Sequence, residues 1–208
     1  MSEKSSSNPV GRKPPWLRVK VGQGPEFARV GSLIHSSGLH TVCEEALCPN
    51  QGECWRHGRA TIMILGDTCT RGCRFCNVQT GRSGVADVGE PSRVAEAVGS
   101  MGLKDVVITS VTRDDLPDGG AGIWAETIRR IRQALPGITI EVLVPDFGGS
   151  KEALEAVLAA RPDVFGHNLE MVPSLYPQIR PQAAYARSLA VLRAAYGRGL
   201  ITKTGIMV

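Results

Sequence analysis

Apolar, β-branched runs alternate with helix-like segments along most of this chain. The runs begin near residues 61, 105, 138, 164 and 200. Segments of about 10–15 residues with helical periodicity separate them, so the repeating unit is a strand followed by a helix. Repeated βα units predict a parallel sheet with right-handed crossovers. Because no turn carries a GxGxxG sequence, the pattern favours an α/β fold built as a partial (β/α) barrel of parallel strands over a doubly wound sheet.

The element boundaries follow from the same pattern. Residues 36–60 show little periodicity and predict a polar, cysteine-bearing loop. In a barrel, the active site lies beyond the carboxyl ends of the strands, on the βα loops. We predict strands at 61–65, 105–110, 138–144, 164–169 and 200–208, and helices at 26–35, 91–102, 123–135, 151–160 and 183–197.

The chain divides into three predicted segments. Residues 1–20 form a basic, largely disordered tail, residues 21–60 an N-terminal extension with a cysteine loop, and residues 61–208 the partial barrel. The sequence stops on an apolar strand with no helix to cover it, and an exposed parallel edge strand favours aggregation. We therefore expect the barrel to lack its last units and the sequence to be part of a longer chain.

The net charge of +4 resides in the N-terminal tail. Residues 1–20 carry five basic side chains and one acidic one, so the rest of the chain is neutral. A neutral body does not suit a nucleic-acid partner. No run approaches the roughly 18 apolar residues of a membrane span, and no signal-peptide pattern is recognisable. We expect a cytoplasmic monomer that binds neither nucleic acid nor membrane, with its clustered thiols reduced and available to metal.

The downstream cysteines follow the first predicted barrel strand. Cys69, Cys73 and Cys76 form a C-x3-C-x2-C run. Three thiolates on one loop suit a [4Fe–4S] cluster, in which cysteine normally ligates each iron, and leave one iron open to another ligand. Zinc prefers four tetrahedral ligands in paired knuckles, whereas this asymmetric spacing supplies no fourth ligand. A zinc site and inert buried thiols remain the alternatives.

The upstream cysteines form a second triplet. Cys43, Cys48 and Cys54 follow the spacing C-x4-C-x5-C. Three thiolates again suit an iron–sulfur cluster with one ligand unassigned. A zinc site completed by His40 or His57 would have the same spacing. Both interpretations stay open on spacing alone.

The two triplets together resemble those of the lipoyl synthases, a family of radical S-adenosylmethionine enzymes. C-x3-C-x2-C with an aromatic residue before the last cysteine, here Phe75, is the signature of the superfamily, and the upstream C-x4-C-x5-C is specific to the family. The resemblance extends from about residue 13 to residue 208. Its other motifs are KPPWLRVK, LHTVCEEALCPNQGECW, GDTCTRGCRFCNV, TSVTRDDLPDGGA, VPDFGG, HNLEMVPSLYPQIRP and TKTGIMV.

The resemblance implies a sulfurtransferase with two [4Fe–4S] clusters and S-adenosylmethionine as cofactors. By it, the downstream triplet holds the reducing cluster, S-adenosylmethionine binds the open iron, and its cleavage yields a 5′-deoxyadenosyl radical. The upstream triplet holds an auxiliary cluster that gives up its own sulfur. Two sulfur atoms enter at C6 and C8 of an octanoyl chain carried on a lysine. The implied partners are octanoylated lipoyl carrier domains and an external electron donor.

The same resemblance implies further cofactor contacts but no acid–base catalytic residue beyond the clusters. Phe75, Asp115, Asn168 and Glu170 are expected to contact S-adenosylmethionine. For the polar residues 113–120, a solvated turn is the alternative interpretation.

Four other polar side chains have simpler expected roles. Arg71 offers positive charge near an anionic cofactor. A lone histidine at a strand end is usually a hydrogen-bonded structural residue, and we expect this of His167. Arg180 could bind a carrier or a carboxylate, whereas Arg187 is more simply explained as surface charge.

The sequence departs from the family pattern at its C-terminal end. The family completes the auxiliary cluster with a serine of an RSS-type motif, and Ser174 and Ser188 lie within other motifs. Competence for sulfur insertion is therefore open for the chain as written. Smaller differences are Met171, Gln182 and Thr112. The alternative functions are a zinc-stabilised binding module and another radical S-adenosylmethionine enzyme with an auxiliary cluster.

Overall fold

The computed structural model describes residues 22–57 and 59–207. The predicted tail, residues 1–20, lies outside these ranges. Within them the strands form a six-stranded and a two-stranded sheet. The large sheet contains β1 (His40–Thr41), β2 (Thr61–Ile64), β5 (Asp105–Ser110), β6 (Thr139–Leu143), β7 (Val164–Gly166) and β8 (Ile201–Lys203), and the small one contains β3 (Thr68–Cys69) and β4 (Gln79–Thr80).

The strands of the large sheet lie side by side in chain order. β2, β5, β6, β7 and β8 are consecutive parallel neighbours, while β1 pairs antiparallel with the free side of β2. A doubly wound sheet reverses its strand order at a switch point, and these strands show no reversal. Consecutive parallel order is that of a (β/α) barrel. The predicted partial barrel is therefore confirmed.

Helices connect the parallel strands and pack on the sheet. The longest helix within residues 22–57 and 59–207 has 14 residues. In the described part of the chain, no helix is long and apolar enough to cross a membrane. The helices are α1 (Pro25–Ser36), α2 (Val42–Glu45), α3 (Gln51–Arg56), α4 (Glu90–Met101), α5 (Ala121–Ala134), α6 (Lys151–Ala159), α7 (Tyr176–Ile179) and α8 (Tyr185–Gly197).

Local sequence explains where the connecting helices begin and end. Helix α4 has Pro91 in its first turn, where the missing N–H costs nothing. It ends at Gly102, whose φ of 65° is the left-handed conformation that glycine adopts freely. Helix α6 is capped by Ser150, whose Oγ accepts a hydrogen bond from the backbone N–H of Ala153 at 3.1 Å.

One hydrophobic core joins the barrel to the N-terminal extension. Ile62, Ile108 and Ile140 lie on three neighbouring strands and are completely buried. Trp124 of α5 and Ile34 of α1 belong to the same buried cluster. Each such side chain contributes roughly 1.5–3 kcal/mol on burial. The extension is thus packed on the barrel by the same apolar contacts that hold the sheet.

Three predictions about local structure were wrong. The segment 36–60 contains β1, α2 and α3, because Thr41 caps α2 through Oγ1 and the helices are too short to produce a hydrophobic period. The predicted strand 200–208 pairs only over Ile201–Lys203, followed by an isolated bridge between Glu170 and Ile206. The strand predicted at 164–169 likewise ends at Gly166.

The end of β7 requires glycine. A Cβ at Gly166 would lie 2.9 Å from the carbonyl oxygen of Val142 and 3.3 Å from the Leu143 side chain. We expect Gly166→Ala to lower the free energy of unfolding by about 1–3 kcal/mol, measured by urea denaturation, because β6 cannot move away. The control is Gly197→Ala in α8, where a Cβ meets open space and alanine adds about 0.5–1 kcal/mol. Equal stability of the two variants would contradict the prediction.

Candidate functional site

The downstream cysteines occupy a loop that is closed on itself at the end of β2. Cys69 ends β3, which pairs with β4, and its carbonyl oxygen accepts the N–H of Gly81 at 3.0 Å. Cys76 donates its backbone N–H to the Cys73 carbonyl at 3.0 Å. Another bond, from Arg74 N–H to the Ile179 carbonyl, fastens the loop to α7. The three thiols therefore sit on a stable backbone at the carboxyl end of the barrel.

Backbone N–H groups point at the first sulfur of this loop. The amides of Arg71 and Thr112 both lie 3.4 Å from Cys69 Sγ. Donors of this kind stabilise a thiolate ligand and tune a bound cluster. Burial raises the pKa of the Cys73 thiol, which the nearby Arg180 guanidinium partly offsets. All three cysteines are free thiols.

The upstream cysteines lie on a short helix–turn–helix. Cys43 is buried on α2, Cys48 lies in the turn and Cys54 is on α3. Burial raises the pKa of the Cys54 thiol, and the neighbouring Cys43 and Cys48 raise it further. All three upstream cysteines are free thiols.

A side-chain hydrogen bond joins the two cysteine segments. Asn77, the residue after Cys76, donates a hydrogen bond from Nδ2 to the backbone carbonyl oxygen of Glu45 in α2 at 3.3 Å.

Among residues 22–57 and 59–207, no group of three or more His, Cys, Asp or Glu side chains is arranged to hold a metal ion. A four-iron cluster needs a wider spacing than a single ion, because each thiolate binds a different iron.

Two buried charged side chains hold the backbone where the chain leaves β2. The Glu90 carboxylate accepts the N–H of Leu65 at 2.8 Å, and the N–H of Gly66 also donates to it. Arg113 donates to the Leu65 carbonyl at 3.4 Å and to the Gly84 carbonyl at 2.6 Å. Leu65 has φ of 70°, a left-handed conformation that is unfavourable for leucine. These bonds hold the start of the cysteine loop in a strained turn.

Arg71 is engaged by carboxylates of two other loops. Its guanidinium donates to Asp114 through Nε at 2.6 Å and through Nη2 at 2.8 Å, and Nη2 also contacts Asp146 at 2.6 Å. Asp146 binds Arg187 Nη1 through its second oxygen at 3.2 Å. Arg71, expected to offer positive charge near an anionic cofactor, thus shares its charge with two carboxylates, and Arg187, expected as surface charge, is half-buried and paired with Asp146. Burial alone would raise the pKa of Asp146, but Arg71 and Arg187 lower it overall.

The polar stretch after β5 combines an ion pair with a turn. Asp115 accepts two hydrogen bonds of 2.9 Å from Arg113, which lower its pKa. Asp118 accepts the N–H groups of Gly120 and Gly122, both at 2.8 Å, and so caps the start of α5. The turn interpretation holds for Asp118. The Asp115 carboxylate, held but still partly exposed, can accept further hydrogen bonds.

The expected cofactor contacts after β7 lie just beyond the strand. His167 is buried, and its ring Nδ1 pairs with the Val144 carbonyl at 2.8 Å, as expected of a structural histidine. Burial lowers the pKa of its ring, so the neutral form is favoured. Glu170 adopts a φ of 65°, and its backbone N–H donates to the Gly205 carbonyl at 2.9 Å. A strained non-glycine residue in the loop beyond a strand is an observation that points towards function.

Arg180 projects towards the downstream cysteines and is fixed from two sides. Its Nη1 donates to the Asn168 carbonyl at 3.1 Å and to the Tyr176 hydroxyl at 3.2 Å. The guanidinium also lies 5.3 Å from the centre of the Tyr176 ring, a cation–π distance. Phe75, in contrast, is 42% exposed. It is available to a ligand at the surface of the loop.

Sequence reasoning missed Glu90 and Asp146 as supports of the site. Each follows a pattern that predicts something else: Glu90 precedes Pro91 in a helix start, and Asp146 lies in a glycine-rich turn. Their partners are 25 and 75 residues away in sequence, at Leu65 and Arg71. The available signal was that both acidic residues lie in connections that follow strands, because such connections meet at one end of a barrel.

Comparison with known proteins identifies the class to which this arrangement belongs. The model of the Radical SAM superfamily matches residues 63–208. The chain therefore belongs to the radical SAM superfamily. It is 55% identical to the lipoyl synthase of Rubrobacter xylanophilus, 52% to that of Chlorobium chlorochromatii and 48% to that of Mycobacterium avium. Within the superfamily, the chain belongs to the lipoyl synthase family.

The matches cover almost all of this chain but only part of its relatives. They span 94%, 97% and 99% of the chain and 62%, 70% and 67% of the three relatives, in the same order. A crystal structure of methylornithine synthase matches with a TM-score of 0.52 at 14% identity, over 69% of this chain and 43% of that one. This second likeness supports the fold alone. Membership of the superfamily supports a [4Fe–4S] cluster and S-adenosylmethionine as cofactors.

Stability should depend on pH through Glu90. Burial raises its pKa above the ordinary 4.5, so the folded state holds the proton more tightly than the unfolded state. The corresponding stability is fully present below 4.5 and is lost as the pH rises through the raised pKa. In urea denaturation, the free energy of unfolding of the wild type minus that of Glu90→Gln should fall across this window. A difference that stays flat with pH would contradict the raised pKa.

Proposed function

We propose that this chain carries the two-cluster centre of a lipoyl synthase. The function is insertion of two sulfur atoms at C6 and C8 of an octanoyl chain on a lysine of a lipoyl carrier domain. The single observation that supports it most is the hydrogen bond from Asn77 to Glu45, which brings the two three-cysteine segments together in the fold.

The downstream triplet is proposed to hold the reducing cluster. Support comes from the donor set: three free thiols on one closed loop, with two backbone amides at 3.4 Å from Cys69 Sγ. A cluster bound by Cys69, Cys73 and Cys76 would supply the electron for cleavage of S-adenosylmethionine and so for radical chemistry. The protein contributes the loop geometry, through Glu90 and Arg113 at the exit of β2.

Residues beside this loop are proposed to bind S-adenosylmethionine. Within the described ranges, His167 Nε2 and Arg180 Nε are buried without a hydrogen-bond partner, which suits a polar ligand at the mouth. Asn168 and Glu170 follow the same strand, and Asp115 lies on the loop after β5. Phe75 adds an exposed aromatic ring beside the last cysteine. These side chains orient the cofactor and exclude water, and no acid–base group is required.

The upstream triplet is proposed to hold the auxiliary cluster that donates sulfur. Cys43, Cys48 and Cys54 lie on α2, the turn and α3, packed beside the barrel through buried Trp55. The competing zinc site is separated from this proposal by metal analysis, because each candidate histidine uses only its ring Nδ1 and leaves Nε2 for a metal. His40 pairs with Glu45 at 3.3 Å, and His57 pairs with the Glu53 carbonyl at 2.8 Å.

The partners follow from the proposed reaction. They are octanoylated lipoyl carrier domains and an external electron donor, and the monomeric state and cytoplasmic location stay predictions from the sequence. The segmentation into a tail of residues 1–20, an extension of residues 21–60 and a barrel of residues 61–208 is part of the proposal. The neutral body of the chain gives no electrostatic signal for the face that a carrier would contact.

Iron loading separates the two triplets. Anaerobic reconstitution should give about eight irons per wild-type chain, and about four in a variant with Cys69, Cys73 and Cys76 changed to alanine. The matched variant with Cys43, Cys48 and Cys54 changed to alanine should also keep about four. Iron and sulfide assays with absorbance near roughly 400 nm provide the measurement.

Stoichiometric zinc in place of iron would contradict the cluster assignment. The double variant His40→Ala, His57→Ala is the control, because it leaves iron loading unchanged if only thiolates bind. A loss of metal from that variant would favour the zinc-stabilised binding module.

Product analysis tests the reaction itself. With S-adenosylmethionine, a reductant and an octanoylated carrier domain, we expect 5′-deoxyadenosine and a carrier heavier by sulfur, detected by mass spectrometry. Removing the upstream triplet should abolish sulfur incorporation while 5′-deoxyadenosine still forms. If 5′-deoxyadenosine forms but no sulfur reaches the carrier in the presence of both clusters, another radical reaction becomes the better assignment.

A further inference from the structure

Four charged side chains form a continuous ion network that begins at Arg71, within the loop of the downstream cysteines. Arg71 binds Asp114 at 2.6 and 2.8 Å and Asp146 at 2.6 Å, and Asp146 binds Arg187 at 3.2 Å. Two positive and two negative groups make the network neutral. Asp146 also accepts the backbone N–H of Gly148 at 3.1 Å, so the carboxylate is fixed in its own turn.

The network joins four separate segments of the chain. Arg71 lies between Cys69 and Cys73, Asp114 on the loop after β5, Asp146 on the loop after β6, and Arg187 on α8. The central pair is buried, with side-chain exposures of 5% for Arg71 and 1% for Asp146. An ion pair in such surroundings is weakly screened by solvent, so its charges act on neighbouring groups over a longer range.

We propose that this network is a positioning and tuning device for the downstream cysteine site. The buried pair of Arg71 and Asp146 holds the loop, and the neutrality of the four groups sets the reduction potential of the cluster bound there. The potential of an iron–sulfur cluster depends on the net charge around it and on hydrogen bonds to its sulfurs. This inference rests on the proposed cluster at Cys69, Cys73 and Cys76.

The outer members of the network allow charge to be changed without breaking the buried pair. Asp114 is 37% exposed and Arg187 is 33% exposed, so their neutral variants leave no deeply buried charge unpaired. Asp114→Asn adds one positive charge to the network, and Arg187→Gln adds one negative charge. Reduction adds an electron to the cluster, so positive charge favours the reduced form and negative charge disfavours it.

The test is a redox titration of the reconstituted protein followed by electron paramagnetic resonance. The signal of the downstream site is assigned as the one lost when its three cysteines are replaced. At one applied potential, the ratio of reduced to oxidised cluster should rise in Asp114→Asn and fall in Arg187→Gln. Each change is expected to be about threefold to tenfold, a tenfold ratio corresponding to about 59 mV for a one-electron couple. The double variant should return towards the wild type.

A second arm separates position from charge. Arg71→Lys keeps the charge but loses the planar fork that binds two carboxylates at once. It should lose iron to a chelator faster than the wild type, while its potential moves less than in Asp114→Asn. The matched control is the pair Arg132 and Asp163, at 2.6 Å near the opposite end of β6, where Arg132→Gln and Asp163→Asn should leave the potential unchanged.

The outcomes distinguish this inference from the proposed function. The tuning role is supported if the reduction potential shifts in opposite directions in Asp114→Asn and Arg187→Gln while both keep their full iron content. A purely structural network would not shift the potential in opposite directions. Shifts in one direction, no shift, or equal loss of iron in both variants overturns it. Wild-type protein that binds no iron at the downstream triplet overturns the proposed function and the inference together.

Discussion

The consecutive parallel pairing of β2, β5, β6 and β7 is the constraint on which the rest of the structure depends. Parallel neighbours place all their carboxyl ends at one edge, so loops far apart in sequence meet there. Thr112 after β5 reaches Cys69 after β2, and Asp146 after β6 reaches Arg71. A reversed strand order would have sent these loops to opposite sides of the sheet.

A second requirement is that every backbone group at this edge finds a partner. The chain leaves β2 in a left-handed turn at Leu65, where neither the N–H nor the carbonyl continues the sheet. Glu90 accepts the N–H and Arg113 donates to the carbonyl, and both side chains are buried. Buried backbone groups without partners are costly, so these two residues stabilise the start of the cysteine loop as surely as the apolar core stabilises the strands.

The sequence predicted the features that repeat or that carry a spacing. Strands of β-branched residues and helices bounded by Pro91 or Gly102 have local signals, and five parallel strands in chain order follow from them. The helices α2 and α3 were missed because four and six residues are too few to show a period. The contacts of Arg71 were missed because a charged residue in a loop has no local pattern that names a partner 75 residues away.

The charge distribution at the mouth of the barrel has a physical logic of its own. A cluster with thiolate ligands is anionic, and its reduced form carries one more negative charge than its oxidised form. A buried, uncompensated cation beside the cluster would therefore strongly favour the reduced form. Here Arg71 and Arg187 are balanced by Asp114 and Asp146, and Arg113 is balanced by Asp115, so the buried guanidinium groups of Arg71 and Arg113 hold backbone and loops without adding net charge. Arg180 is different, because its contacts are a carbonyl, a hydroxyl and an aromatic ring, none of which carries a formal charge. Its positive charge therefore remains available to the sulfur of Cys73 and to a carboxylate bound beside it.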